Sequence, residues 1–76
     1  MNPRVKSIKQ IQGFQLVLEF TSGETKTFDA SPYLNQGVFT RLKEPTLFRQ
    51  AAVGYGTVTW PGELDISPDT IYLESF

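Results

Sequence analysis

The sequence predicts a small α+β domain, with an antiparallel β-meander, a short helical insert, a hairpin and a terminal helical turn. Three observations predict it. The chain has 76 residues, which suits a single domain over residues 1–76. Its first 28 residues alternate apolar and polar side chains with the two-residue period of strands. Beyond them, two Ser-Pro steps and several glycines interrupt the alternation, and short apolar runs follow helical or hairpin spacing.

The β-meander contains three predicted strands. Residues 5–11 alternate imperfectly, with β-branched apolar side chains separated by polar ones. Residues 14–20 form the clearest strand, because four large apolar side chains fall on one face. A tight turn at residues 21–24, where Gly23 supplies positive φ, leads into a returning strand at residues 25–28. One face of this meander is expected to be buried.

The central region predicts one or two short helices that cover the sheet. Ser31 followed by Pro32 is typical of an N-cap with proline in the first helical position. Gly37 ends this turn in the left-handed conformation. Residues 38–43 then place three apolar side chains at helical spacing, before a proline stops or restarts the helix ahead of a further turn at residues 46–50.

The last third predicts a hairpin and a final helical turn. Two apolar runs, residues 51–55 and 57–60, surround a Gly-Tyr-Gly tripeptide, which is a hairpin signal. Residues 63–66 follow as a loop or an extended edge piece. Ser67 is expected to act as an N-cap before a proline, with Asp69 facing the helix dipole from the first turn.

The residue types restrict the chemistry. The chain contains neither Cys nor His, which excludes disulfides, thiol chemistry, thiolate zinc sites and the usual catalytic triads. We therefore expect no enzyme, no catalytic residue, no cofactor and no dedicated metal site. The core must come from the 39% hydrophobic residues, 13% of the chain being aromatic. A core this small leaves homo-oligomerisation open as an additional brace.

Charge and hydropathy indicate a partner class. The net charge of −1 gives no global attraction to nucleic acid or to anionic membranes. No apolar run has the length of a membrane span, and the N-terminus lacks the apolar region of a secretion signal, so a cytoplasmic location is expected. All seven basic residues lie between Arg4 and Arg49, and only acids follow. The C-terminal segment is thus anionic.

This anionic segment contains the candidate interaction surface, composed of Trp60, Glu63, Asp65, Asp69 and Tyr72. One interpretation is a docking face for a basic partner protein. A structural interpretation has the two aromatic residues in the core and the carboxylates capping a helix or pairing with basic residues near the N-terminus. The alternative function is a small-ligand or divalent-metal site that uses Trp60 and the three carboxylates, since carboxylate oxygens suit Mg²⁺ and Ca²⁺.

Nearly the whole chain resembles a widespread bacterial family, domain of unknown function 2442. The matching positions are Phe20, Gly23, Phe28, Asp29, Phe39, Leu42, Phe48, Trp60, Asp65, Ile66, Pro68, Asp69 and Tyr72. The final run, from the tryptophan through proline-aspartate to the tyrosine, is the most specific part. This chain departs from the family at residues 61–63, Pro-Gly-Glu, where Asn-Gly is more usual.

The resemblance implies a small α+β fold with no established activity. Similar domains occur alone or joined to a helix-turn-helix domain, and stand-alone members resemble partners of an adjacent small protein in a toxin–antitoxin arrangement. No helix-turn-helix is present in this sequence, so direct DNA reading is not expected. The resemblance therefore favours a protein-interaction module with an antitoxin-like role.

Overall fold

The computed structural model describes residues 2–76, which fold into two three-stranded antiparallel sheets and four short helical segments. The strands are β1 (Val5–Gln12), β2 (Gln15–Phe20), β3 (Thr25–Asp29), β4 (Ala52–Gly54), β5 (Thr57–Trp60) and β6 (Leu64–Asp65). The helices are two 3-10 segments (Ser31–Tyr33 and Gly37–Lys43), α1 (Pro45–Phe48) and α2 (Pro68–Glu74). The predicted α+β class is confirmed.

The first sheet has the order β1-β2-β3, as the meander prediction requires. Its buried face is the predicted one, because Leu16, Leu18 and Phe20 have no exposed surface. Phe14, predicted on the same strand face, lies instead in the turn before β2 and is half-buried. Its ring meets the edge of Phe48 at a centroid distance of 5.2 Å, so it still packs against the core.

The two outer edges of the first sheet are blocked in different ways. On β1 the register shifts at Lys6 and again at Lys9, so each lysine occupies a bulge opposite β2. Bulges and edge lysines both discourage a further strand from pairing. On β3, the Thr27 N–H donates to the Phe76 carbonyl at 2.7 Å, and the Phe76 N–H donates to Thr27 at 2.9 Å. The C-terminal residue thus covers the middle of the β3 edge.

The second sheet confirms the predicted hairpin. Tyr55 (φ 54°) and Gly56 (φ 75°) join β4 to β5 in a two-residue turn with positive φ at both positions. The edge piece predicted at residues 63–66 is present as β6, which pairs with β5 in the order β4-β5-β6. The Val5 N–H donates to the Gly56 carbonyl at 2.9 Å and ties the hairpin to the first sheet.

The predicted N-cap at Ser31 is wrong. The helical segment starts at Ser31 itself, and the Asp29 carboxylate accepts the Ser31 N–H at 2.9 Å. An aspartate two residues upstream makes this turn more directly than a serine hydroxyl does. Gly37 does take the left-handed conformation (φ 49°), but it begins the second 3-10 segment, and the first segment already ends at Tyr33 with Leu34 as its C-cap.

The later helix starts are only partly as predicted. Helix α1 begins at Pro45, and its N-cap is Glu44, whose carboxylate accepts the Thr46 N–H at 2.8 Å. Helix α2 begins at Pro68 after Ser67, as expected, and Asp69 lies in its first turn. The Ser67 side chain makes no capping hydrogen bond. The start of α2 is favoured instead by Pro68 in the first helical position and by the interaction of the Asp69 carboxylate with the helix dipole.

Candidate functional site

Trp60 lies in the core. Only 3% of its surface is exposed, and its ring packs on Phe48 at a centroid distance of 5.7 Å. The indole Nε1–H donates to the Phe48 carbonyl at 2.9 Å. Trp60 therefore packs as the structural interpretation expects and is not an accessible part of the candidate interaction surface. A large aromatic ring with one polar atom is most stable where both parts are satisfied, and β5 provides that position.

Tyr72 is half-buried on α2 and fastens this helix to the first sheet. Its ring meets the edge of Phe20 at 5.0 Å, and the Lys26 ammonium lies 4.0 Å from the ring centroid. Its hydroxyl donates to Glu24 Oε1 at 2.7 Å. This hydrogen bond raises the pKa of Tyr72 and lowers the pKa of Glu24. The hydroxyl is therefore already engaged within the fold.

A second tyrosine–carboxylate bond fastens the same helix. The Tyr33 hydroxyl, from the first 3-10 segment, donates to the Glu74 carboxylate. Burial, together with this bond to Glu74, raises the pKa of Tyr33 to about 12. The sequence analysis identified neither of the two bonds, because their partners are 41 and 48 positions apart along the chain.

The three carboxylates of the candidate surface are exposed. Glu63 lies in the turn between β5 and β6 and takes a left-handed conformation (φ 63°) after Gly62. Asp65 lies on β6, where it alternates with the buried Leu64. Asp69 begins α2 and accepts the Asn2 side-chain amide at 3.3 Å. Of the five predicted residues, these three are accessible to a partner.

Hydrogen bonding separates Glu63 and Asp65 from the other carboxylates. Six of the eight carboxylate side chains accept a hydrogen bond from within the chain: Glu19, Glu24, Asp29, Glu44, Asp69 and Glu74. Over residues 2–76, Glu63 and Asp65 accept none. Most acids of this chain therefore have a structural role, whereas these two have no such partner and face solvent.

A cation lies against the same turn. The Arg41 guanidinium packs over Gly62, with its Nη1 atom 2.9 Å from the point where a Cβ would be. Gly62 has a φ of 88°, a left-handed conformation that favours glycine. The turn at residues 61–63 is thus held in place from outside while it presents Glu63.

The carboxylates do not assemble into a metal site. Within the described part of the chain, no three His, Cys, Asp or Glu residues lie close enough together to hold an ion. No cavity opens on the surface formed by residues 2–76. The small-ligand or divalent-metal alternative stays a prediction. No helix among those residues is long and apolar enough to cross a membrane.

The sequence analysis missed Tyr55 as a functional candidate. This side chain is 92% exposed and has a left-handed backbone (φ 54°), which is unfavourable for a bulky residue. The signal was present in the Gly-Tyr-Gly tripeptide of the predicted hairpin. A two-residue turn of this kind favours Asn or Gly at the position that Tyr55 occupies, so the tyrosine stands out.

Comparison with known proteins gives one match. The family model described as "Protein of unknown function (DUF2442)" matches residues 5–76, which confirms the resemblance inferred from the sequence. No curated protein and no solved structure matches this chain.

Proposed function

We propose a non-catalytic protein-interaction function for this chain, which belongs to the DUF2442 family of proteins of unknown function. Glu63 and Asp65 form the centre of a docking face for a basic protein. The expected partner is the small protein encoded by the adjacent gene, toward which this chain acts as an antitoxin does. A cytoplasmic location is part of the same proposal.

One observation carries the proposal: Glu63 and Asp65 are exposed carboxylates without a hydrogen-bond donor from residues 2–76. Carboxylates that bond within the chain would have to exchange one partner for another on binding. Glu63 and Asp65 exchange only water, so lysine or arginine side chains of a partner reach them without breaking an internal bond. Charge complementarity of this kind guides encounter and orientation.

The positions of the two residues also support docking. Asp65 is on β6, which pairs with β5 through Thr59 and Trp60. Glu63 lies in the turn that joins these strands, and Arg41 packs against that turn. Because Asp65 is on a sheet anchored by the buried Trp60 and Glu63 is in the turn that this sheet holds, little conformational freedom is lost when they bind.

Co-expression with the adjacent gene product provides the test. The tagged chain is purified with that protein, and the affinity of the separated components is measured by calorimetry at two salt concentrations. The double variant Glu63→Gln/Asp65→Asn keeps the side-chain shapes and removes two negative charges. We expect binding to weaken by roughly tenfold, which corresponds to about 1.4 kcal/mol. Its salt dependence should also decrease, because fewer ion pairs form.

The matched control is Glu24→Gln/Glu74→Gln. It removes the same number of charges, while both amide oxygens still accept hydrogen bonds from the tyrosine hydroxyls. We expect this control to bind within about twofold of the natural chain, well below the tenfold effect above. Equal losses in both variants would mean that net charge alone matters. Absence of any complex with the adjacent gene product would remove the proposal.

The cytoplasmic location and homo-oligomerisation are each tested by a simple measurement. Fractionation of cells that express the tagged chain tests the cytoplasmic location. Light scattering of the purified chain at several concentrations tests homo-oligomerisation, which the small core still leaves open. A second copy that covers Asp65 would compete with the partner, so the two results must be interpreted together.

A further inference from the structure

The tip of the β4–β5 hairpin presents Tyr55 in an unusual state. Its side chain is 92% exposed, and its φ of 54° lies in the left-handed region. For a residue with a bulky side chain this conformation costs free energy that Asn or Gly would avoid. A tyrosine here buries almost none of its ring, so the fold gains little apolar burial in return.

The hairpin is held together without the Tyr55 ring. The Val5 N–H donates to the Gly56 carbonyl at 2.9 Å, on the other side of the turn. Thr57, which follows the turn, is buried, and its hydroxyl donates to the Ile66 carbonyl at 2.6 Å. These bonds fix both the hairpin and its tip. The ring is therefore displayed from a rigid support, which reduces the entropic cost of binding.

A cationic side chain packs on Gly56, the residue that follows Tyr55 in the turn. The aliphatic part of Arg4 packs over Gly56, with Cδ 2.9 Å from the point where a Cβ would be. Arg4 is itself exposed, and its backbone N–H is held by the Thr21 hydroxyl at 3.1 Å. Residues 2–18 contain three basic residues and no acid. Arg4 thus provides a cation at the tip of the hairpin.

We propose that Tyr55 and Arg4 form a docking knob that inserts into an apolar pocket rimmed by carboxylates on a partner protein. Tyr and Arg are the side chains most often found at the energetic centres of protein interfaces. The ring supplies apolar area, and Arg4 complements an acidic rim. This inference rests on the proposed function and assigns a second contact to the same partner.

One partner is able to reach both contacts. The hairpin tip and the turn that presents Glu63 lie at opposite ends of β5, which spans Thr57–Trp60. At the rise of an antiparallel strand, their separation is about 15 Å. A standard interface of about 800 Å² per partner is wide enough to include both. A cationic and an anionic end would then set the partner's orientation.

The decisive variant is Tyr55→Asn. Asn suits the left-handed position of this turn, so the melting temperature of the variant should equal or exceed that of the natural chain. Its affinity for the purified adjacent gene product should fall at least about tenfold. A structural role for Tyr55 would produce the opposite pattern, with lower stability and unchanged affinity. Leu73→Asn, at another exposed apolar residue on α2, is the matched control and should bind normally.

A second variant examines the charge. Arg4→Met keeps an unbranched side chain over Gly56 and removes the cation. We expect affinity to fall about threefold to tenfold, with a weaker salt dependence. A loss of affinity in Tyr55→Asn, together with the expected loss of affinity and of salt dependence in Arg4→Met, would support the docking knob.

The possible failures are distinguishable. Tyr55→Asn binding within about twofold of the natural chain, while Glu63→Gln/Asp65→Asn binds weakly, would overturn the knob and leave the proposed function standing. Absence of any complex would overturn both. A natural chain that dimerises in light scattering, with Tyr55→Asn monomeric, would make a second copy the occupant and would overturn the assignment to a different partner.

Discussion

Replacement of Trp60 by phenylalanine tests how the C-terminal segment is held to the core. The change removes the Nε1–H that donates to the Phe48 carbonyl at 2.9 Å, in a site where only 3% of the tryptophan surface is exposed. The Phe48 carbonyl keeps the hydrogen bond that it accepts from the Ala51 N–H at 3.2 Å, so loss of the tryptophan donor costs about 0.5–1.5 kcal/mol. The smaller ring also leaves a void worth about 1 kcal/mol. The expected loss is therefore about 1.5–2.5 kcal/mol.

This loss is large for a short chain. A domain of 76 residues is expected to have an unfolding free energy of about 4–11 kcal/mol. Urea unfolding followed by far-UV circular dichroism measures the change without depending on tryptophan fluorescence. Tyr55→Phe is the control, because this ring is 92% exposed and its hydroxyl makes no bond within residues 2–76. A Trp60→Phe loss below about 1 kcal/mol would refute the reasoning.

Three further predictions concern pH, a turn and a sheet edge. The pKa of Tyr33 is raised to about 12, so the stability that this residue contributes is present below pH 10 and is lost as the pH rises through about 12. Ultraviolet titration should show one tyrosine that ionises near pH 12, and it should ionise at lower pH in Glu74→Gln. Gly62→Ala should lower the free energy of unfolding in urea by about 1–2 kcal/mol, because φ is 88° and the Arg41 guanidinium lies 2.9 Å from the Cβ position. Phe76→Pro removes the N–H that donates to Thr27, so the free energy of unfolding should fall by about 1 kcal/mol. The uncovered edge of β3 should also make this variant associate more at high concentration, as measured by light scattering.

Each of these predictions has an internal control. Tyr33→Phe should remove the ionisation near pH 12, while Tyr72, whose pKa is also raised, still ionises late. A phase near pH 12 that persists would assign that pKa to another tyrosine. Gly23 has a similar φ of 91° with open space around its Cβ, so Gly62→Ala should cost more than Gly23→Ala. Equal losses of stability in the two variants would mean that the Arg41 side chain moves aside without a measurable cost. Phe76→Ala keeps the backbone N–H, so association equal to that of Phe76→Pro would contradict a role for the hydrogen bond.

The strands were predictable because their signal is local. In β2 a two-residue alternation places Leu16, Leu18 and Phe20 on one face, and burial of that face is what holds the sheet. The hairpin tip was equally clear, because Gly56 suits a turn position with positive φ. The local sequence determines these elements, and the contacts with distant parts of the chain agree with it.

Capping was harder to predict, because several nearby side chains compete for the same backbone groups. Ser31 matched the usual cap sequence, yet Asp29 reaches its N–H first. Glu44, a less usual cap residue, accepts the Thr46 N–H at α1. The sequence offers both acceptors, and only the path of the chain between β3 and the insert decides which one is close enough.

The candidate site was predicted only in part, for a similar reason. Which carboxylates are free depends on contacts over long separations, such as Tyr72 with Glu24 and Tyr33 with Glu74. Those bonds occupy two acids and leave Glu63 without a donor from the described residues. Local sequence patterns do not reveal such pairs, so the anionic segment was recognised while its free members were not.

The most direct test of an interaction surface centred on Glu63 and Asp65 is residue-by-residue mapping by nuclear magnetic resonance. The ¹⁵N-labelled chain is titrated with the unlabelled adjacent gene product, and amide shift changes are recorded for every residue. The account predicts that the largest changes fall in the turn at residues 61–63, on β6 and at Tyr55. Changes confined to the solvent face of β2, around Val17, or no changes at saturating partner, would contradict it.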